Sequence, residues 1–256
     1  MNRMIEKFQN QEFSVGTFTQ LLSPLAVECL GQTGLDYVLI DTEHTAAGME
    51  YLTAAITAAD SAGIVPLVRI NGIQRDKVLQ PLDYGAKGLV VPAVETVEEV
   101  RQLVSYAKFP PVGNRGFCPT RDGKFGYDEV SQQGVATYFD HANKDTLLIP
   151  QCETKGCLEH IEEIAALEGV DGIFVGPFDL SVALGHPMDF QCEEMKAAFQ
   201  RILSACQKNN KIAFIFCPDA ATAKQRKAEG FHSATVGMDA LTLIESYRTV
   251  MREVDA

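Results

Sequence analysis

The chain has 256 residues, of which 46% are apolar and 22% charged, and it carries a formal net charge of -12. A chain of this size can bury a substantial core. Its acidic balance, with no basic cluster, argues against a nucleic-acid backbone or an anionic membrane surface as partner. Nowhere do about 18 apolar residues run together as a membrane span requires, and Met1 to Phe8 lack the apolar centre of a signal peptide, so a cytoplasmic protein is expected. Cysteines 29, 118, 152, 157, 192, 206 and 217 are odd in number and lack the two-residue spacing of zinc or redox motifs, and read as reduced, packed thiols.

Short β-branched runs alternate with longer segments of helical period, the pattern of a parallel sheet covered by helices. In chain order the predicted strands are 14–20, 35–41, 64–70, 86–94, 146–151, 169–175, 211–217 and 231–237. Between them, Ser23 and Pro24 mark a helix start, Gly34 a stop, and Thr96 with Glu99 a capping box. Gly63, Gly85, Gly169 and Gly230 each fall between a helix and the next strand. Eight strand and helix units in about 250 residues predict a TIM (β/α)8 barrel in one domain, rather than a doubly wound sheet with fewer strands. Residues 109–145, rich in breakers and then polar with weak period, read as an insertion after the fourth unit. The last segment, Ala240 to Val254, carries Leu241, Ile244, Tyr247 and Met251 on one stripe, to pack on its own barrel or on a neighbouring subunit.

Barrel chemistry gathers at the carboxyl ends of the strands. There the sequence places Asp41-Thr-Glu43-His44 after the second strand, Arg69 at the third, Gln151 and Glu153 at the fifth, Gly176-Pro177-Phe178-Asp179 at the sixth and Asp239 at the eighth. Lys87 and Lys211 read as solvated strand starts. Ionised carboxylates beside so much apolar surface ask for a counter-charge. Glu153 and Asp179, hard oxygen donors without a histidine or cysteine of matching spacing, suit Mg2+, Mn2+ or Co2+; the plainer reading is two acceptors for helix amino ends. His44 is a candidate general base, with Asp41 the first candidate to orient it and Asp83 the second. Arg69 is suited to stabilise an oxyanion, or else forms a structural ion pair with Glu43.

Taken together, Asp41-Thr-Glu-His44, Val68-Arg69, Leu82-Asp83-Tyr-Gly85-Ala-Lys-Gly88, Pro110-Pro-Val-Gly113-Asn-Arg115-Gly116, Gln151-Cys-Glu153-Thr154 and Gly172-Ile-Phe-Val-Gly176-Pro177-Phe-Asp179-Leu180-Ser181 resemble the HpcH/HpaI family of class II pyruvate aldolases. The resemblance runs from Gly34 to Asp239. It implies a TIM barrel and metal-dependent cleavage of a 4-hydroxy-2-oxo acid to pyruvate and an aldehyde through a metal-stabilised enolate. It further implies Glu153 and Asp179 as metal ligands, Gln151 near the metal's water, His44 as the proton-transfer histidine, Arg69 as the enolate-stabilising arginine and Asp83 as the histidine's support. Backbone after Gly176 and Pro177 would hold the substrate carboxylate. Hexamers with an exchanged C-terminal helix are a further implication, so a homo-oligomer, trimer or hexamer, is expected. Cys152, Thr42 and Thr45 depart from the family's usual residues.

An enolate can also be stabilised by a lysine Schiff base, but no lysine falls in the interior or at the carboxyl end of a predicted strand, since Lys87 and Lys211 start theirs and Lys155 follows Glu153 into a helix. The rival within the lyases is a citryl- or malyl-CoA enzyme, which needs basic surface for a nucleotide; only Arg115, Arg121 and Lys124 group together, in the insertion. A phosphosugar isomerase would need a glycine-rich phosphate cradle after strands seven and eight, where Pro218-Asp-Ala-Ala and Met238-Asp-Ala stand instead. A non-catalytic barrel binding small oxo acids is the remaining alternative. For the aldehyde, Arg115 and Arg121 point to an acidic tail, Phe117 and Phe125 to an apolar one.

Overall fold

In the computed structural model, which describes residues 2–255, eight parallel strands close in sequence order into a barrel. They are β1 (Ser14–Thr19), β2 (Tyr37–Asp41), β3 (Val65–Arg69), β4 (Gly88–Val91), β5 (Leu147–Cys152), β6 (Gly172–Val175), β7 (Ile212–Cys217) and β8 (Ser233–Met238), and each expected strand contains or overlaps its observed counterpart. The helices are α1 (Arg3–Gln9), α2 (Pro24–Gly31), α3 (Met49–Ala62), α4 (Arg75–Asp83), α5 (Val97–Ala107), α6 (Val135–Asp145), α7 (Lys155–Glu159), α8 (Ile161–Ala166), α9 (Pro177–Ala183), α10 (Glu193–Lys208), α11 (Ala220–Glu229) and α12 (Asp239–Val254).

The strands are apolar on both faces because both are covered. Leu39, Leu67, Val90, Ile149, Phe174 and Phe214 fill the interior, while Val38, Ile40, Val68, Leu148 and Ile215 meet the helices outside. Met4 of α1 joins the interior cluster and plugs the amino end. Gly16 is required by contact: a Cβ there would lie 2.4 Å from the ring of Tyr37, its register partner on β2. Tyr37 in turn meets Thr235 Oγ1 at 2.7 Å, tying β2 to β8 across the interior.

The local signals hold where a side chain creates them. Ser23 accepts from the Ala26 amide at 3.4 Å, and Thr96 and Glu99 form both halves of a capping box. The insertion is less irregular than its sequence suggests. Residues 121–126 and 131–133 form 3-10 turns and α6 leads into β5, stacked through Phe139 on Phe109 at 4.2 Å between ring centroids. Lys87 and Lys211 are not solvated strand starts. Lys87 lies between Asp122 and Asp145, and Lys211 donates to the Leu167 and Val170 carbonyls. All seven cysteines are free; Cys29 and Cys118 are exposed rather than packed.

Candidate active site

Register places the charged residues. Asp41 and Arg69 are opposite one another at the last positions of β2 and β3, so their side chains leave the barrel together. Arg69 Nε donates to Asp41 Oδ1 at 3.0 Å and its Nη2 to Oδ2 at 2.8 Å, a bidentate pair. The third nitrogen, Nη1, faces Glu43 Oε2 at 3.2 Å, and the guanidinium lies over the Phe18 ring at 4.5 Å. Asp41 is fully buried and also accepts from Gln20 Nε2 at 2.8 Å and from the amides of Glu43 and His44 at 3.0 and 3.3 Å. Burial pushes its carboxyl up, but the hydrogen bonds and charge of Arg69 outweigh this and hold it below the ordinary carboxylate value.

These contacts correct the expected support for His44. Asp41 is committed to Arg69 and touches His44 only through the backbone. Asp83 ends α4, which leads into the start of β4, and therefore sits toward the amino end of the barrel, where it accepts from Arg115 at 2.8 Å. Within one chain the carboxylate facing the imidazole is Glu43, whose Oε2 lies 3.7 Å from His44 Nε2. Arg69 thus joins both acids, and the ion pair with Glu43 is real alongside the pair with Asp41. His44 itself is exposed at the rim.

On the far side of the mouth, Gln151 and Cys152 pair in register with Phe174 and Val175, which brings Glu153 level with Gly176. Ala93, in the left-handed region at φ 54°, turns its amide toward Glu153 Oε1 at 2.8 Å. Glu153 Oε2 accepts from Gln151 Nε2, leaving Gln151 Oε1 buried without a partner. A Cβ on Gly176 would fall 2.6 Å from Glu153 Oε2, so only glycine allows this approach. Burial raises the Glu153 carboxyl above its ordinary value, and the charges of Asp179 and Glu43 add to the rise against the Ala93 and Gln151 hydrogen bonds. Burial likewise raises Glu43, where Asp41 and Asp179 oppose the pull of Arg69 and His44. Asp179 lies in the first turn of α9 and is exposed.

Gln20, His44, Arg69, Gln151, Pro177 and Asp179 line one cavity of about 150 Å3. Glu153 and Glu43, both raised and both facing the charge of Asp179, are oxygen donors beside an orphaned amide oxygen, and the set fits a hard divalent cation. A different grouping, His186, Cys192 and Glu194, has ligand atoms all within 4.8 Å of one another on the segment entering α10; its nitrogen and sulfur donors suit a softer ion, and its spacing matches no motif. Gln20 stands at the carboxyl end of the predicted strand 14–20, a neutral residue that position alone does not single out, and the Ala93 amide acts through backbone alone and gives no signal in sequence. Asp239 proves structural, accepting from Thr19 Oγ1 at 2.7 Å and the Gln20 amide at 2.8 Å.

A closed eight-stranded barrel with acids, a clamped arginine and a histidine at its carboxyl mouth defines an enzyme scaffold whose oxygen donors fit a cation. The chain belongs to the HpcH/HpaI aldolase/citrate lyase family, whose profile matches residues 14–246. The 5-keto-4-deoxy-D-glucarate aldolase of Klebsiella pneumoniae is 32% identical over 229 residues, covering 89% of this chain and 87% of the relative. A family protein from Burkholderia cenocepacia superposes with a TM-score of 0.91 at 30% identity, covering all of both chains. A citrate lyase from Burkholderia xenovorans is more distant, with a TM-score of 0.64 at 18% identity over 89% of this chain and 73% of that one, and shares the fold alone. The chain is thus a carbon–carbon lyase of the metal-dependent, class II aldolase type. Among the described residues no helix is long and apolar enough to cross a membrane.

Proposed function

We propose that the chain cleaves a 4-hydroxy-2-oxo acid to pyruvate and an aldehyde, with Glu153 and Asp179 holding Mg2+, Mn2+ or Co2+. The observation that carries this reading is Glu153, held beside the unpaired Gln151 oxygen and raised by burial and by the charges of Asp179 and Glu43. When bound, the cation supplies Lewis-acid stabilisation of negative charge on the 2-oxo acid. Arg69, fixed by Asp41, Glu43 and Phe18, presents its guanidinium to the same developing oxyanion and needs no reorganisation to do so. His44 takes the 4-hydroxyl proton, oriented by Glu43. Asp41 acts by holding Arg69. Asp83, the family's counterpart for supporting the histidine, reaches a His44 only from another copy of the chain. Gln151 positions a water or a substrate oxygen, and the backbone amides that follow Gly176 and Pro177, in the first turn of α9, receive the substrate carboxylate.

A CoA thioester substrate is disfavoured by the same contacts. Arg115 is spent on Asp83, and Arg121 on Asp60 at 2.7 Å and on the Tyr84 carbonyl at 2.9 Å, leaving Lys124 alone of the three. We place the enzyme in the cytoplasm as a homo-oligomer, trimer or hexamer, with α12 in a subunit contact, because Leu241, Ile244, Tyr247, Met251 and Val254 on it are 47–73% exposed.

The test is pyruvate release from a 4-hydroxy-2-oxo acid before and after chelation. Removal of divalent ions should lower turnover by at least about a hundredfold, with recovery on adding Mn2+. Undiminished turnover in ion-stripped enzyme would overturn the proposal.

A further inference from the structure

Charge does not line the whole mouth. Opposite Asp41, Glu43 and Arg69, a chain of rings runs along its other wall. Phe178 stacks on Phe190 with centroids 5.6 Å apart and meets the edge of Phe216 at 5.3 Å. Phe216 meets Phe18 at 5.9 Å, and Phe18 is the ring beneath Arg69. Phe178 is the neighbour of Asp179 in sequence, and Phe178, Phe216 and Met238, all partly exposed, line the same cavity as His44 and Gln151. Phe18 belongs to the interior cluster and holds Arg69, while Phe216 and Met238 pack on that cluster yet stay partly exposed, and the chemistry proposed above uses none of Phe178, Phe216 and Met238.

The charges at the mouth point the same way. Arg69 is the one permanent cation among the residues lining the cavity, and each of its nitrogens faces a carboxylate already. Asp41, Glu43, Glu153 and Asp179 outnumber it. An aldehyde bearing its own carboxylate would add like charge to a wall on which this chain's described residues offer no free cation to receive it. Arg115 and Arg121, the two sequence hints of an acidic tail, are engaged within their own chain: Arg115 is buried against Asp83 and over the Phe109 ring at 4.7 Å, and Arg121 holds Asp60.

We infer that the Phe178, Phe216 and Met238 wall is the aldehyde subsite and that it selects an uncharged, apolar aldehyde. The inference rests on the aldolase reading, in which the methyl carbon of pyruvate gives up a proton and bonds to the aldehyde carbon while the aldehyde oxygen takes a proton. The rings accept an apolar side chain by burying its surface, and aromatic ones by edge contacts such as those they make with each other. This chain thereby parts from its relatives named for a sugar diacid.

The experiment uses Mn2+-loaded, full-length enzyme and pyruvate with benzaldehyde, hexanal, glyoxylate or succinic semialdehyde, reading kcat/KM for addition. Deuterium uptake into the pyruvate methyl group in D2O, without aldehyde, is measured beside it. The apolar aldehydes should exceed the anionic ones by at least tenfold. Phe178→Ala should lower the ratio of benzaldehyde to glyoxylate kcat/KM at least tenfold, and Phe216→Leu does the same service should the first variant fail to fold; a general loss of structure lowers both values and leaves the ratio alone. Deuterium uptake together with equal or greater rates for the anionic aldehydes, or an unmoved ratio in the folded variant, overturns the inference and leaves the aldolase reading standing. Absence of both uptake and addition takes down the two together.

Discussion

Replacement of Arg69 by methionine separates its two duties, holding Asp41 and meeting negative charge on the substrate. Asp41 has no exposure and loses both guanidinium bonds. Removing one partner from a buried pair costs about 3–5 kcal/mol, and the donors left to Asp41, Gln20 Nε2 and two backbone amides, reduce this to about 2–4 kcal/mol. For a chain of this size the melting temperature should fall by roughly 4–16 °C. Acid sensitivity should change as well. In the native protein the lowered Asp41 value contributes stability that is present above its ordinary 3.8 and lost only as pH falls through the lower folded value. Without Arg69, burial, the largest influence on that carboxyl, is opposed only by the Gln20 and Glu43 hydrogen bonds and raises it, so the variant prefers the protonated acid and gains from acidification where the native protein does not. Adding Asp41→Asn to Arg69→Met should therefore recover most of the stability. Turnover should fall on the order of 10²–10³-fold and stay low in the double variant, the cost of one preorganised donor, while Mn2+ affinity remains close to native. Calorimetry, a pyruvate assay and Mn2+ titration read these separately. Native turnover in Arg69→Met would refute its place at the oxyanion, and a native melting temperature would refute the strength of the pair.

Gly176→Ala should weaken Mn2+ binding about tenfold with the barrel intact, because the new Cβ lies 2.6 Å from Glu153 Oε2 and 2.9 Å from Gln151 Nε2 and displaces side chains without crowding backbone. Titration followed by electron paramagnetic resonance measures it, and native affinity would mean that Glu153 is not a ligand. Ile244→Glu on α12 should lower the assembly state in sedimentation velocity, since its side chain is half exposed on one chain and would carry a charge into the proposed subunit contact. An unchanged sedimentation coefficient would remove α12 from that contact.

The strands were legible because burial on both faces leaves β-branched runs that no helix of this length shows, and glycines such as Gly63 and Gly230 close the helices between them in the left-handed region. Helix α6 was hidden: it starts at Gly134, which offers no side-chain cap, and its polar outer face resembles a loop. Strand ends likewise delivered Asp41, Arg69, Gln151, Glu153 and Asp179 to one mouth, since carboxyl ends of parallel strands share a side. Pairing within that mouth was not legible. Which carboxylate meets His44 depends on the register of β2 with β3, which commits Asp41 to Arg69, and on the handedness that sends Asp83 toward the other end. Glu43 was visible beside His44, but nothing in its spacing separates a bridge between arginine and imidazole from a solvated loop acid.

Closure in sequence order has a consequence for how such an enzyme diversifies. Because β8 lies beside β1, the ends of β6, β7, β8 and β1 form one continuous arc that carries the rings, and those of β2 to β5 form the complementary arc that carries most of the charge. Only the turn after β6, with Phe178 next to Asp179, belongs to both. Recombining loops from the aromatic arc alone offers a route to new acceptors that leaves proton transfer and ion capture as inherited.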